Sequence, residues 1–294
     1  MACVNVAVVQ MAMSSDRRDN LATAERLVRE AASRGGQIIV LPELFETPYF
    51  CKEHDYAWLD LACPVEQNPA VKRLSIVARE LGVVLPVSVF EHAGNLCFNT
   101  VVMIDADGEK LGIYRKSHIP ESPGYHEKFY FAPGDTGFKV WSTRHGRVGV
   151  GICWDQWFPE AARSMALAGA ELLVYPTAIG SEPQDPKLDS RDQWWRVMQG
   201  HAAANVLPVA AANRFGVEVS DANALTFYGS SFVTDHTGAF LQAAERAGES
   251  VLVQSLNFAE IATCRRNWGV FRDRRPDLYS ALSALDRPSW GNAD

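Results

Sequence analysis

The chain has 294 residues, 47% hydrophobic and 21% charged, an ordinary globular balance whose length fits one large α/β domain or two small ones. A net charge of −7 argues against a general nucleic-acid binder, which would carry a basic face, and mildly favours a cationic ligand. No apolar run approaches the roughly 20 residues of a membrane span, and the six cysteines form neither a CxxC pair nor a Cys/His cluster with zinc spacing.

The chain opens on a strand-like segment, Val4–Gln10, rather than on a signal peptide, so a reduced, cytoplasmic protein is expected. Residues 20–33 read as a helix, with Leu21, Ala24, Leu27, Val28 and Ala31 on one stripe. A strand is predicted at 38–41, a helix at 70–81 and a strand at 83–89. Residues 99–105 and 110–114 form a predicted hairpin about Asp107-Gly108, and 138–142 with 148–152 a second about His145-Gly146. A helix over 159–168 has Pro159 in its first turn. Then come a strand at 172–175, a helix at 192–205, strands at 207–213, 230–234 and 250–254, and a short helix at 259–265. No stretch rich in Gly, Ser or Pro divides the chain, so residues 1–294 are expected to be a single domain. Mixed βαβ units and hairpins give α/β or α+β without fixing the topology.

Three chemistry-bearing side chains stand just past predicted strands. Cys153 follows the apolar run 148–152 and precedes the helix that starts at Pro159. A thiol on a strand–turn–helix elbow lies beside backbone N–H groups, which is nucleophile geometry. A lone cysteine is more often a small buried hydrophobe. Glu43 follows Leu41-Pro42, and Lys116 ends the run that begins at Leu111. Singly, Glu43 reads as a helix N-terminal charge and Lys116 as a solvated strand end. In α/β folds, however, ligands bind where strand ends meet loops, and three such residues at corresponding places are a poor coincidence. Gly149-Val150-Gly151 lacks the third glycine of a dinucleotide loop, and there is no P-loop or GxSxG.

Leu41-Pro42-Glu43, Tyr114-Arg115-Lys116 and Gly151-Ile152-Cys153-Trp154-Asp155 resemble the nitrilase superfamily of carbon–nitrogen hydrolases, and the resemblance runs over nearly the whole chain. It implies a four-layer αββα sandwich. It also implies a triad in which Glu43 is the base, Lys116 meets the developing oxyanion with the N–H of Trp154, and Cys153 attacks the carbonyl carbon. Glu127 matches the family's second glutamate, expected beside Lys116, although a glutamate in a loop is ordinarily a surface residue. No metal or organic cofactor is implied. The tail from about residue 271 reads plainly as a frayed terminus, but the resemblance suggests subunit contacts and a homo-oligomer.

Residues 152–160 and Thr177-Ala178-Ile179-Gly180-Ser181-Glu182-Pro183 are similar to the branch of the superfamily that acts on N-carbamoylputrescine. That implies a small cationic ureido substrate, with no nucleic-acid or membrane partner. Glu182 would pair with the ammonium, and Trp154 and Tyr125 would line the alkyl chain. The plainer readings are a solvated acidic loop holding Glu182, Asp185 and Asp189, and a core role for Trp154. Arg191 stands close enough to suggest a carboxylate-bearing substrate instead. His118 and His126 are tempting bases, but a structural role weighs more for His118. The alternatives are a ureidopropionase-like or omega-amidase-like hydrolase and, against the intact triad, a non-catalytic binding subunit.

Overall fold

The computed structural model describes residues 3–220 and 224–285. Its logic starts from Val4–Gln10. Val6 and Val8 point to one side of this strand, Ala7 and Val9 to the other, and all four are fully buried. A strand buried on both faces needs a covering layer on each. On the Ala7 side lie the helices Arg17–Ser33 and Pro69–Leu81, whose Leu27, Val28, Leu74 and Val77 share a core with Ala7 and Val9. On the Val6 side lies a second sheet, which sends Val148, Val150, Leu172, Val174 and Ala210 against Val6, Val8 and Val40. That sheet alternates too: Leu173, Tyr175 and Val209 face outward onto Met165, Trp194 and Met198 of the helices Pro159–Leu167 and Arg191–Asn205. The layers therefore run helix, sheet, sheet, helix, the α/β sandwich expected.

The first sheet has the order Ser250–Leu256, Val4–Gln10, Ile38–Val40, the last pair parallel. A bridge between Ile38 and Val84 joins it to the antiparallel set Leu85–Ala93, Leu96–Ile104, Lys110–Arg115. The second sheet runs Phe240–Ala243, Phe232–Thr234, Val209–Asn213, Leu172–Thr177, Gly146–Val150, Val140–Thr143, with its central three strands parallel. Glu43, Lys116, Cys153 and Ala178 each follow a strand of these sheets, and the fold gathers those ends.

Several boundaries differ from the sequence expectation. The first helix begins at Arg17, because Asp16 caps it by accepting from the N–H groups of Arg18 (2.6 Å) and Asp19 (3.4 Å). The polar first turn is invisible to an apolar stripe. The strand at 83–89 is part of one long hairpin, Leu85–Ala93 with Leu96–Ile104. Its charged end stays in the sheet because buried Glu91 pairs with Arg115 at 2.6 Å. The second hairpin turns at Arg144-His145, since Thr143 pairs with Gly146. The hairpin Phe215–Val219 with Ala224–Tyr228 was not foreseen at all. Of the tail, Pro276–Leu278 and Ser280–Ser283 are short helical turns, with Leu278, Leu282 and Leu285 exposed, and residues 286–294 lie outside the described residues.

Candidate active site

Cys153 sits on the elbow the sequence predicts, between Gly146–Val150 and the 3₁₀ turn Cys153–Trp157. Its φ of +41° is left-handed, a conformation that costs a non-glycine residue energy and persists only when neighbours enforce it. Asp155 does the enforcing. Fully buried, its carboxylate accepts from the backbone N–H of Ile152 (2.9 Å), the hydroxyl of Tyr114 (2.7 Å) and the backbone N–H of His118 (3.0 Å). It also engages the His118 ring at 2.7 Å, and that ring stacks on Phe158 at 3.6 Å. His118 is thus a brace for the elbow, as weighed above. Gly151 is needed here because a Cβ would lie 2.6 Å from the Tyr175 ring.

Glu43, Lys116 and Glu127 form one buried cluster. The Lys116 ammonium donates to Glu43 Oε1 at 2.8 Å and to Glu127 Oε2 at 2.6 Å. Asn99 Nδ2 also donates to Glu43 Oε1 (2.6 Å), and the Tyr49 hydroxyl donates to Glu127 Oε1 (2.8 Å). Glu43 Oε2 is buried and has no hydrogen-bond partner among the described residues. An ammonium already fills the place between the two carboxylates that a metal ion would take.

Beneath the cluster, fully buried Arg214 fixes the chain at and after Glu43. Its guanidinium donates to the carbonyls of Glu43 (2.7 Å), Leu44 (3.1 Å) and Thr47 (3.3 Å) and to Glu218 Oε1 (2.8 Å). Glu218 in turn accepts from the backbone N–H of Tyr49. Sequence reasoning missed Tyr49, Asn99, Asp155 and Arg214. A buried polar residue looks like a surface one until the fold is known.

The electrostatics follow from burial and from one cation facing two carboxylates. Burial pushes the Cys153 thiol well above its usual range and Glu43 adds to the rise, against Lys116 and a hydrogen bond from the Ala178 backbone. At neutral pH the sulfur is therefore a thiol and needs a base. Burial also pushes Glu127 up to about 7, with Lys116 opposing and Glu43 assisting. Burial alone would lower Lys116, but Glu127 and Glu43 outweigh it and hold the amine as an ammonium.

A cavity of about 340 Å³ opens over the thiol. Cys153, Glu127, Trp154, Tyr125 and Glu182 all line it, so it brings together both the chemical and the substrate-binding candidates. Lys116 and Glu43 are not in its lining, but Lys116 bonds to Glu127, which is, at 2.6 Å. Glu182 is half-buried and accepts from Gln184 at 3.1 Å; burial raises its carboxyl although Gln184 works against that. Trp154 is 40% exposed, so the core reading of it is wrong. Tyr125 is anchored through its hydroxyl, which donates to the Ser181 carbonyl (3.0 Å) and accepts from the Gly180 N–H (3.1 Å). Arg191 does not enter: it pairs with Asp192 (2.7 Å) and lies over the Trp195 ring. Asp189 is also turned away, pairing with Arg246 at 2.6 Å. No lysine, arginine or histidine lines the cavity among the described residues. His126 engages Glu121 at 2.7 Å, outside this lining.

The family model for carbon-nitrogen hydrolases matches residues 5–266. A citrullinase of Francisella tularensis is 54% identical over 96% of this chain and 99% of its own length. An N-carbamoylputrescine amidase of Solanum tuberosum is 56% identical over 96% of each chain. Among solved structures, a carbon-nitrogen hydrolase from Helicobacter pylori superposes with a TM-score of 0.91 at 38% identity, over 97% of this chain and 100% of that one. An amidase from Nesterenkonia, bearing the acetamide moiety of fluoroacetamide on its active-site cysteine, gives 0.77 at 26% identity over 95% and 96%. The chain belongs to the carbon–nitrogen hydrolase family of the nitrilase superfamily and is a hydrolase of amide C–N bonds.

Proposed function

We propose that this enzyme hydrolyses N-carbamoylputrescine to putrescine, ammonia and carbon dioxide. One observation carries the choice. The substrate's single charge is an ammonium several bonds from the reacting carbon, and the cavity over Cys153 is lined by the carboxylate of Glu182 and by no cationic side chain among the described residues. Similarity to the plant amidases supports the same reading.

Cys153 Sγ attacks the ureido carbon as its proton passes to Glu43, whose Oε2 is unpartnered among the described residues. The oxygen that gains charge is met by the Lys116 ammonium and by the N–H of Trp154 in the first turn of the 3₁₀ segment. Collapse of the tetrahedral intermediate breaks one C–N bond, and the proton on Glu43 goes to the departing nitrogen. A carbamoyl thioester remains on Cys153. Water, deprotonated by Glu43, attacks it and releases the thiol. The free carbamate then gives carbon dioxide and the second amine. The adduct on the Nesterenkonia amidase supports a cysteine nucleophile.

A second reading, citrulline as substrate, is favoured by the near-equal identity to the Francisella enzyme. Citrulline adds an α-carboxylate, for which the described residues of the lining offer only neutral donors such as Gln184, Ser190 and Gln193. The test compares kcat/KM for N-carbamoylputrescine, citrulline and N-butylurea in wild type and Glu182→Gln. A charge-assisted pair is worth about 1.5–3 kcal/mol, so the variant should lose roughly 10–150-fold on N-carbamoylputrescine and little on N-butylurea. Equal loss on both, or a wild-type preference for citrulline, would defeat the assignment.

A further inference from the structure

Glu121–Ser122 and Tyr125–His126 form a two-residue hairpin in which Glu121 faces His126 and Ser122 faces Tyr125. Residues opposite one another in a strand pair share a face, and successive residues point to opposite faces. Ser122 and Tyr125 line the cavity. Glu121 and His126 therefore occupy the outer face of the same ribbon. His54 meets them there, its ring 4.2 Å from that of His126. One potential ligand atom from each of the three lies within 4.8 Å of the others, and His126 Nδ1 is 2.7 Å from Glu121 Oε1.

We propose that His54, Glu121 and His126 form a site for a divalent transition metal, zinc above all, on the outer wall of the cavity. Two imidazoles and one carboxylate are a donor set that suits zinc, and a fourth position stays open to water. Zinc–nitrogen bonds of about 2.0–2.1 Å place tetrahedral ligands roughly 3.3 Å apart, so the ion replaces the 2.7 Å hydrogen bond between Glu121 and His126, these two open slightly, and His54 turns inward to complete the site. His54 is exposed, with its ring packed against those of His126 and Phe129.

The place gives the ion a consequence. His54 follows the 3₁₀ turn Phe50–Lys52, which Tyr49 precedes. His126 leads directly into Glu127. These two segments are already joined inside by the bond from the Tyr49 hydroxyl to Glu127. A metal held by His54, Glu121 and His126 joins them a second time from outside, and so fastens the ribbon that carries Tyr125 and leads into Glu127. The ion is a clamp and takes no part in the chemistry at Cys153.

The sequence hides this site, because His54 is remote from Glu121 and His126 and the trio lacks a ligand-spacing motif. The experiment uses the full chain, stripped of metal and carrying Cys153→Ala so that the reactive thiol cannot ligate. Cobalt(II) is titrated as a spectroscopic probe, then displaced by zinc, with calorimetry and thermal unfolding alongside. The expected result is one ion per chain, without the intense thiolate-to-cobalt band, and a zinc-dependent rise in Tm. His54→Ala and His126→Ala should each weaken zinc by at least roughly tenfold and remove the rise in Tm. Should His126→Ala fail to fold, His54→Ala, on an exposed loop, decides alone. No binding, a thiolate band, or unchanged affinity in His54→Ala overturns the proposal.

Discussion

Replacing Tyr49 by Phe removes one oxygen and should move the acid limb of the pH profile. In the wild type both oxygens of Glu127 accept a donor, Tyr49 at one and Lys116 at the other, an arrangement satisfied by the carboxylate form. Burial sets the Glu127 carboxyl at about 7. As pH falls through that value the carboxyl takes a proton and no longer holds both donors. We therefore expect kcat/KM to decline below about pH 7. The Tyr49 bond favours the ionised form, so its loss raises the Glu127 pKa. A hydrogen bond to a charged group is worth about 1.5–3 kcal/mol, which at about 1.36 kcal/mol per pH unit moves the limb upward by roughly 1–2 units. The ring itself stays, keeping its contacts with Tyr125 and Phe227 at 5.7 and 5.6 Å. The assay is ammonia release at limiting substrate across both sides of neutrality. An acid limb that stays put or moves down in Tyr49→Phe would refute both the role of Glu127 and the sign of its coupling to Tyr49.

Other perturbations separate chemistry from support. Cys153→Ala should abolish turnover with the fold intact, and intact-mass spectrometry of wild type with substrate should trap an adduct on Cys153; near-normal turnover ends the thiol mechanism. Glu43→Gln and Lys116→Met should each lower kcat by about 10² or more, and the double variant by far less than the product, because the residues act as a unit. Retention of most wild-type kcat in either single variant removes that assignment. Arg214→Met strips the Glu43, Leu44 and Thr47 carbonyls of a donor and leaves buried Glu218 without its cation, so denaturant unfolding should show a loss of about 3–5 kcal/mol. A loss below about 1 kcal/mol would mean that Glu218 and the freed carbonyls reach other partners.

The α/β class was legible because its strands are buried on both faces. Residues 4–10 and 172–175 read as strands, and the structure keeps both, extending the second to Thr177. The layer order was not written in those runs. Val6 and Ala7 look alike in sequence, yet one faces the second sheet and the other the helices. Only the family resemblance supplied the sandwich. One strand that escaped is Phe215–Val219: its Val217 and Val219 are exposed, while the charged Glu218 between them is buried against Arg214.

The site divides along a similar line. Glu43, Lys116 and Cys153 could be read because each stands at the close of an apolar run, where the chain leaves a strand and a side chain can enter a cavity. What holds them in place lies in residues with no such marker. Asn99 is embedded in its strand and gives no sign in sequence that it donates to Glu43. Asp155 resembles any helix-start acid, yet it braces the left-handed turn at Cys153 through bonds to Ile152, Tyr114 and His118, on two separate stretches of chain. Such residues act on groups distant in the chain, and their meaning is a property of the fold rather than of their neighbours in sequence. The charge count makes the same point. One lysine and two glutamates read in isolation as three solvated charges. Buried together beside Cys153, they leave one carboxyl near neutrality and one amine held as an ammonium, and the thiol stands well above its usual range.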